Sequence, residues 1–127
     1  MKKFIFLFIT LLTFSLSMSA QTKAEYQLDK LEHDYGTFSE KDGVQTCTFT
    51  ITNVSEKPLI ITQAVATCGC TIPTYSKEPI KPGESGVITV KYNGTGKFLG
   101  NFKKTVTIRT NLRPTVLRLA IKGNMTE

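Results

Sequence analysis

The chain carries little with which to do chemistry. It has one histidine and three cysteines in 127 residues. That is too few cysteines for a small scaffold stapled by disulfides. A lone histidine has no second imidazole to share a metal or a proton with. No serine stands in a Gly-x-Ser-x-Gly elbow, the strained turn that presents a hydrolase nucleophile. No segment shows helical periodicity, no repeat recurs, and no tract is of low complexity. At 40% hydrophobic and 20% charged residues, the composition excludes disordered and collagen-like chains. The length fits one domain.

The first twenty residues stand apart. Lys2 and Lys3 precede an apolar stretch from Phe4 to Leu16, and Ser17-Met18-Ser19-Ala20 supplies small residues after it. A positive start, a short apolar centre and a small-residue end are the marks of a secretory signal peptide, with the apolar part too short to span a bilayer. Met18 fits poorly three residues before a cut after Ala20; a cut after Ser19 puts Ser17 there instead. No cysteine lies near the end of the apolar stretch to carry a lipid anchor. The expectation is a signal peptide over residues 1–20 and a single domain over residues 21–127, periplasmic or extracellular, with no later transmembrane segment. Removing 20 residues from 127 leaves 107, and losing Lys2 and Lys3 lowers the net charge from +6 to +4.

The remaining chain alternates with period two. In Thr46-Cys47-Thr48-Phe49-Thr50-Ile51-Thr52 one face carries Cys47, Phe49 and Ile51 and the other four threonines, the pattern of a half-buried strand. Asn53–Pro58 reads as a turn. Leu59-Ile60-Ile61-Thr62 is apolar on both faces, as in a central strand, and runs on towards Cys68. Pro73, Pro79, Pro82 and Gly83 make residues 72–86 a connection with at most an edge strand. Strands follow at Val87–Tyr92, Phe102–Thr110 and Thr115–Lys122. Tyr26–Leu31 and Tyr35–Phe38 form a first strand broken near His33-Asp34. Six or seven short strands between turns mean an all-β sandwich or barrel. Phe49, Ile51, Ile61, Ile88, Val90, Val106, Ile108, Leu117, Leu119 and Ile121 are its expected core.

Five stretches, in order, carry a resemblance: Asp34-Tyr35-Gly36-Thr37, Phe49-Thr50-Ile51-Thr52-Asn53, Thr67-Cys68-Gly69-Cys70-Thr71-Ile72-Pro73, Glu78-Pro79-Ile80-Lys81-Pro82-Gly83-Glu84-Ser85-Gly86 and Thr105-Val106-Thr107-Ile108. They resemble the secreted bacterial domain-of-unknown-function family 1573, itself similar to Hydin-type and major-sperm-protein-type domains. The resemblance covers nearly all of residues 31–123. It implies an immunoglobulin-like β-sandwich of about seven strands and no assigned activity.

Cys68-Gly69-Cys70 is the one constellation with chemical content. In extended chain the two Cα atoms would lie about 6.6 Å apart, at the outer edge of disulfide geometry. Pairing of Cys47 with either is the calmer alternative, and an odd count leaves one thiol over. Two thiolates two apart also suit soft copper(I), with Cys47, His33 or Met125 as a third ligand; zinc would want four. Strand ends lie near the surface, so at least one of Cys68 and Cys70 should be more accessible than Cys47. His33 has no relay partner, because Asp34 points the other way in extended chain, and reads as an exposed or turn residue.

The Asn93-Gly94-Thr95-Gly96-Lys97 segment has the glycines and lysine of a phosphate loop, but Phe98 stands where a Ser or Thr is required and no helix follows. Lys103, Lys104, Arg109, Arg113, Arg118 and Lys122 gather in the last two strands; Lys103, Arg109, Arg118 and Lys122 could line a basic sheet face. Without interleaved aromatics this does not suit nucleic acid. It suits an acidic envelope surface or plain solvation. Two functions follow. The first is a non-enzymatic binding or envelope-assembly module with a protein or cell-envelope component as partner and no cofactor. The alternative is a copper-handling or thiol-redox protein acting through Cys68 and Cys70.

Overall fold

The computed structural model describes residues 23–127, so the signal-peptide reading of residues 1–20 lies outside the described residues. Two four-stranded sheets face each other. The first runs β1 (Tyr26–Leu28), β3 (Gln45–Asn53), β6 (Ser85–Tyr92), β5 (Thr71–Tyr75), all antiparallel. The second runs β2 (Glu32–Ser39), β8 (Val116–Thr126), β7 (Gly100–Thr110), β4 (Ile61–Ala66). In it β2 lies parallel to β8, and the other pairs are antiparallel.

Alternation decides what lies between the sheets. Phe49, Ile51, Ile88 and Val90 from the first sheet and Val106, Ile108, Leu119 and Ile121 from the second are fully or almost fully buried. Of the expected core set only Leu117 stays partly exposed, near the start of β8. Tyr26, Phe38, Leu59, Ile80, Tyr92, Leu112 and Met125 complete the core.

Three expectations change. The first strand is two strands, and the break falls at Asp29-Lys30-Leu31, not at His33-Asp34. There the Asp29 carboxylate accepts from the Thr50 N–H at 2.9 Å, and the Asp29 N–H donates to the Thr50 carbonyl at 3.1 Å. Those bonds end β1 on β3 and release the chain to the other sheet. His33 and Asp34 lie inside β2, whose irregularity comes later, at Gly36: its φ of +70° suits glycine, and its N–H donates to the Asp34 carboxylate at 2.7 Å.

The segment at Leu59 is not a central strand. Leu59 is buried but only bridges to Ile80, Ile60 is 37% exposed, and the strand that follows, β4, is the edge of its sheet. The last strand runs past Lys122 to Thr126. Met125 is buried there, and Gly123 leaves room for the rings of Phe102 and Phe38, which a β-carbon would crowd at 3.0–3.1 Å. The expected edge strand after the cysteines is β5. Pro73 is tolerated there because no strand lies beyond it to need its missing N–H.

Candidate functional site

Cys68-Gly69-Cys70 occupies the turn between β4 and β5, where the chain crosses from the second sheet to the first. The segment is not extended. Thr71 N–H donates to the Cys68 carbonyl at 3.1 Å, and Asn93 N–H to the Cys70 carbonyl at 2.8 Å. The turn brings the two Cα atoms to 5.2 Å, well inside the range a disulfide spans, and Cys68 and Cys70 are joined. Cys47 is left as the free thiol. Cys68 is half-buried and Gly69 exposed, whereas Cys70 is as buried as Cys47. One face of the bond, the Cys68 side, therefore meets solvent.

Cys47 lies inward on β3, as its alternation implies, under a residue from the opposite sheet. The Tyr35 hydroxyl donates to the Val90 carbonyl at 3.0 Å and sits 3.4 Å from the Cys47 sulfur. Burial pushes the Cys47 thiol above its ordinary pKa, and burial raises that of Tyr35 further still. The thiolate, which is the nucleophile and the metal ligand, is thus disfavoured. His33 is half-buried in β2, not placed in a turn. Its Nδ1 accepts from Lys30 Nζ at 2.9 Å, and its ring meets Tyr35 edge-on at 4.9 Å between centroids. Burial, then the Lys30 charge, lower its pKa.

The fold does not gather Cys68, Cys70, Cys47 and His33 into one ligand set. No group of three or more His, Cys, Asp or Glu able to hold a metal occurs among the described residues. Met125, the other ligand considered, is packed in the core.

The basic positions do share the outer face of the second sheet. Lys103 lies opposite Lys122, Thr107 opposite Arg118, and Arg109 opposite Val116. The face is not uniformly basic. Glu32, on the neighbouring β2, takes both Lys122 at 2.8 Å and Lys103 at 3.3 Å, and those lysines hold its carboxyl below the usual range. Lys103 and Lys122 also line an open hollow of about 590 Å³ with Asp34, Thr37, Asn101 and Phe102. Sequence reasoning missed Tyr35 as the cover on Cys47, because the two come from different sheets. It also passed over Phe98, which is 98% exposed; an aromatic in a glycine-rich loop was the available signal.

Two predictions arise from these environments. After mild reduction of native protein, Cys68 should alkylate first and Cys47 slowly, read by mass spectrometry; faster labelling of Cys47 than of both others would remove the turn from consideration as the reactive spot. The second concerns alkali. Cys47, Tyr35, Tyr26 and Tyr92 all have pKa values raised by burial. Groups that hold their proton more tightly when folded contribute stability that is full below the unfolded pKa and is lost as pH rises towards the folded one. Stability should therefore decline above about pH 9, where unfolded thiols and then phenols ionise. Urea denaturation from pH 8 upward checks this, with a shallower decline in Tyr35→Phe; a flat profile to pH 11 contradicts it.

Comparison with known proteins adds the lineage. The family described as "Protein of unknown function (DUF1573)" matches residues 26–125. The chain belongs to that family. No curated protein matches it significantly. Among solved structures, a protein of unknown function from Porphyromonas gingivalis W83 superposes with a TM-score of 0.65 at 20% identity, over 85% of this chain and 51% of that one. The DUF1573 chain thus spans about half of that protein. The ASH / PapD-like domain 7 of human CEP192 gives 0.64 at 8% identity, over 85% and 92%. The periplasmic chaperone SfaE gives 0.60 at 10%, over 80% and 58%. At such identities the likeness is of fold: a PapD-like, immunoglobulin-like sandwich.

Proposed function

We propose that this DUF1573 domain is an exported, non-enzymatic binding module that takes an extended segment of a protein partner as an added strand on β4. The observation that carries the reading is the character of that edge. Ile61-Thr62-Gln63-Ala64-Val65-Ala66 has no charge and no proline, and its Val65 is 48% exposed. Natural edges are blunted by charge, proline, bulges or brevity. The other three are more heavily guarded: Pro73 in β5, three residues in β1, and the Gly36 bulge with Glu32 and Asp34 in β2, whereas β4 has only a register shift at its start, between Ile61 and Gln63. From Gln63 to Ala66, past the register shift and past Thr62, whose carbonyl accepts from the Tyr75 hydroxyl at 3.5 Å, the edge is regular and offers unpaired backbone groups at every second residue, the requirement for strand addition. Chaperones such as SfaE appear among the structural neighbours, which is compatible with protein partners. The sequence character of residues 1–20 supports export. The copper alternative gains no support, since joined cysteines have no thiolates to offer.

Val65→Lys puts a charge on the outward face of β4 while leaving the β4–β7 ladder intact. Partner capture from an envelope extract should be lost in Val65→Lys and kept in Cys68→Ser/Cys70→Ser, with the β4 amides that face away from β7 gaining protection from hydrogen exchange in the complex. Equal capture by Val65→Lys and the unaltered protein would refute the assignment to this edge.

A further inference from the structure

The loop between β6 and β7 carries an apolar tip that the strand-addition reading does not use. Phe98 is 98% exposed and Leu99 46%. The loop that presents them is held in place. Thr95 N–H donates to the Asn93 side chain at 3.2 Å, Lys97 N–H to the Gly94 carbonyl at 2.9 Å, and Gly96 N–H to the Glu40 carboxylate at 2.9 Å. Gly94 is packed so closely on Met125 that a β-carbon would overlap its sulfur. An ordered loop thus holds a phenyl ring out in water, against the hydrophobic effect.

The side chains lining the hollow beside the tip carry charge of one sign, and the Glu40 carboxylate that the loop touches is engaged by the Gly96 N–H. Phe98 and Leu99 share a hollow of about 380 Å³ with Lys97, Lys103 and Lys104, and no carboxylate lines it. Lys103 is paired with Glu32; among the described residues neither Lys97 nor Lys104 has a carboxylate partner. Val44, 50% exposed, lies at the same end, one residue before the Gln45–Tyr92 pair from which the loop departs. A protruding aromatic and aliphatic pair ringed by unpaired lysines fits the boundary between anionic headgroups and acyl chains. A protein pocket would have to be concave around this convex tip, whereas a bilayer interface admits it as it stands.

We propose that the Lys97-Phe98-Leu99 tip docks the domain on an anionic lipid surface, Phe98 and Leu99 entering the headgroup boundary while Lys97 and Lys104 lie against lipid phosphates. The experiment uses the protein with residues 1–20 removed, because that apolar leader would itself bind lipid and all eight strands lie beyond it. Vesicles of phosphatidylcholine with phosphatidylglycerol should sediment the protein, and vesicles of phosphatidylcholine alone should not. Phe98→Asp should weaken partition by roughly tenfold or more, given the burial worth of a phenyl side chain. Lys97→Glu/Lys104→Glu should weaken it several-fold, with the difference shrinking at high salt. The chain has no tryptophan, so Phe98→Trp supplies a single reporter whose emission should move to the blue only with anionic vesicles. An unmoved emission, or equal partition of Phe98→Asp and the unaltered protein, overturns the proposal and leaves the tip to a protein partner. Val65→Lys should bind vesicles normally, which separates this outcome from that of the β4 edge.

Discussion

Ile108→Ala is expected to lower the unfolding free energy by about 2–5 kcal/mol, the range for truncating a large buried aliphatic. Ile108 is fully buried near the C-terminal end of β7, opposite Ala64 on β4 and Leu117 on β8. β7 is laddered on both sides, to β4 and β8, and β8 in turn to β2, which limits how far the backbone can collapse into the space left behind. Chemical denaturation gives the number. A loss below about 0.5 kcal/mol, the scale of surface substitutions, would mean that the inner face of this sheet has been assigned the wrong way round. Arg109→Ala, one residue along and exposed, is the control and should fall within that surface range.

Asn53→Ala should cost a comparable amount, about 2–4 kcal/mol, through lost hydrogen bonds and not lost volume. Asn53 ends β3 with no exposure to solvent. Its amide donates to the carbonyls of Lys57 at 2.6 Å and Ile80 at 2.9 Å, and its carbonyl accepts from the Ser55 N–H at 2.9 Å and hydroxyl at 2.7 Å. One side chain thus satisfies the 53–57 turn and the connection that reaches Ile80. Alanine leaves the Ile80 carbonyl without its Asn53 partner in a buried place and strips the half-exposed 53–57 turn of the side chain that closes it. Asn53→Asp keeps the shape and the acceptor but cannot donate, so it should lose most of the same stability. If Asn53→Asp denatures like the unaltered protein, the donor bonds to Lys57 and Ile80 are not what matters.

Where the chain is strictly alternating, its residues announced their own placement: Cys47, Phe49 and Ile51, and again Val106 and Ile108, each face the side their period assigns. Where the decision lies in a tertiary hydrogen bond, they did not. Nothing in Asp29-Lys30-Leu31 looks like punctuation, since it has neither glycine nor proline; the chain changes sheets there because Asp29 finds Thr50. Ile60 was misleading for a related reason, its apolar side chain being left exposed at a sheet edge. At the cysteines, spacing singled out Cys68 and Cys70 but not their pairing, which depends on whether residues 68–70 turn or run straight. The depth of Cys47 could be read locally, whereas its cover by Tyr35 could not.

The parallel pairing of β2 with β8 sets a condition on how the molecule is made. β2 has no other partner in its sheet, and β8 comes after every other strand of the sandwich. Phe38 and Thr126, which are hydrogen-bonded, stand 88 residues apart. During synthesis from the N-terminus, the second sheet therefore lacks its central member until nearly the whole domain has emerged. Long-range pairing of this kind places folding towards the slow, millisecond-to-second end for small domains. A nascent or transiting chain would stay threadable until its final strand arrived and then close in a single late event. Loss of even the last dozen residues would leave β2 unpaired and β7 held on one side only, so the domain has no stable shortened form at that end.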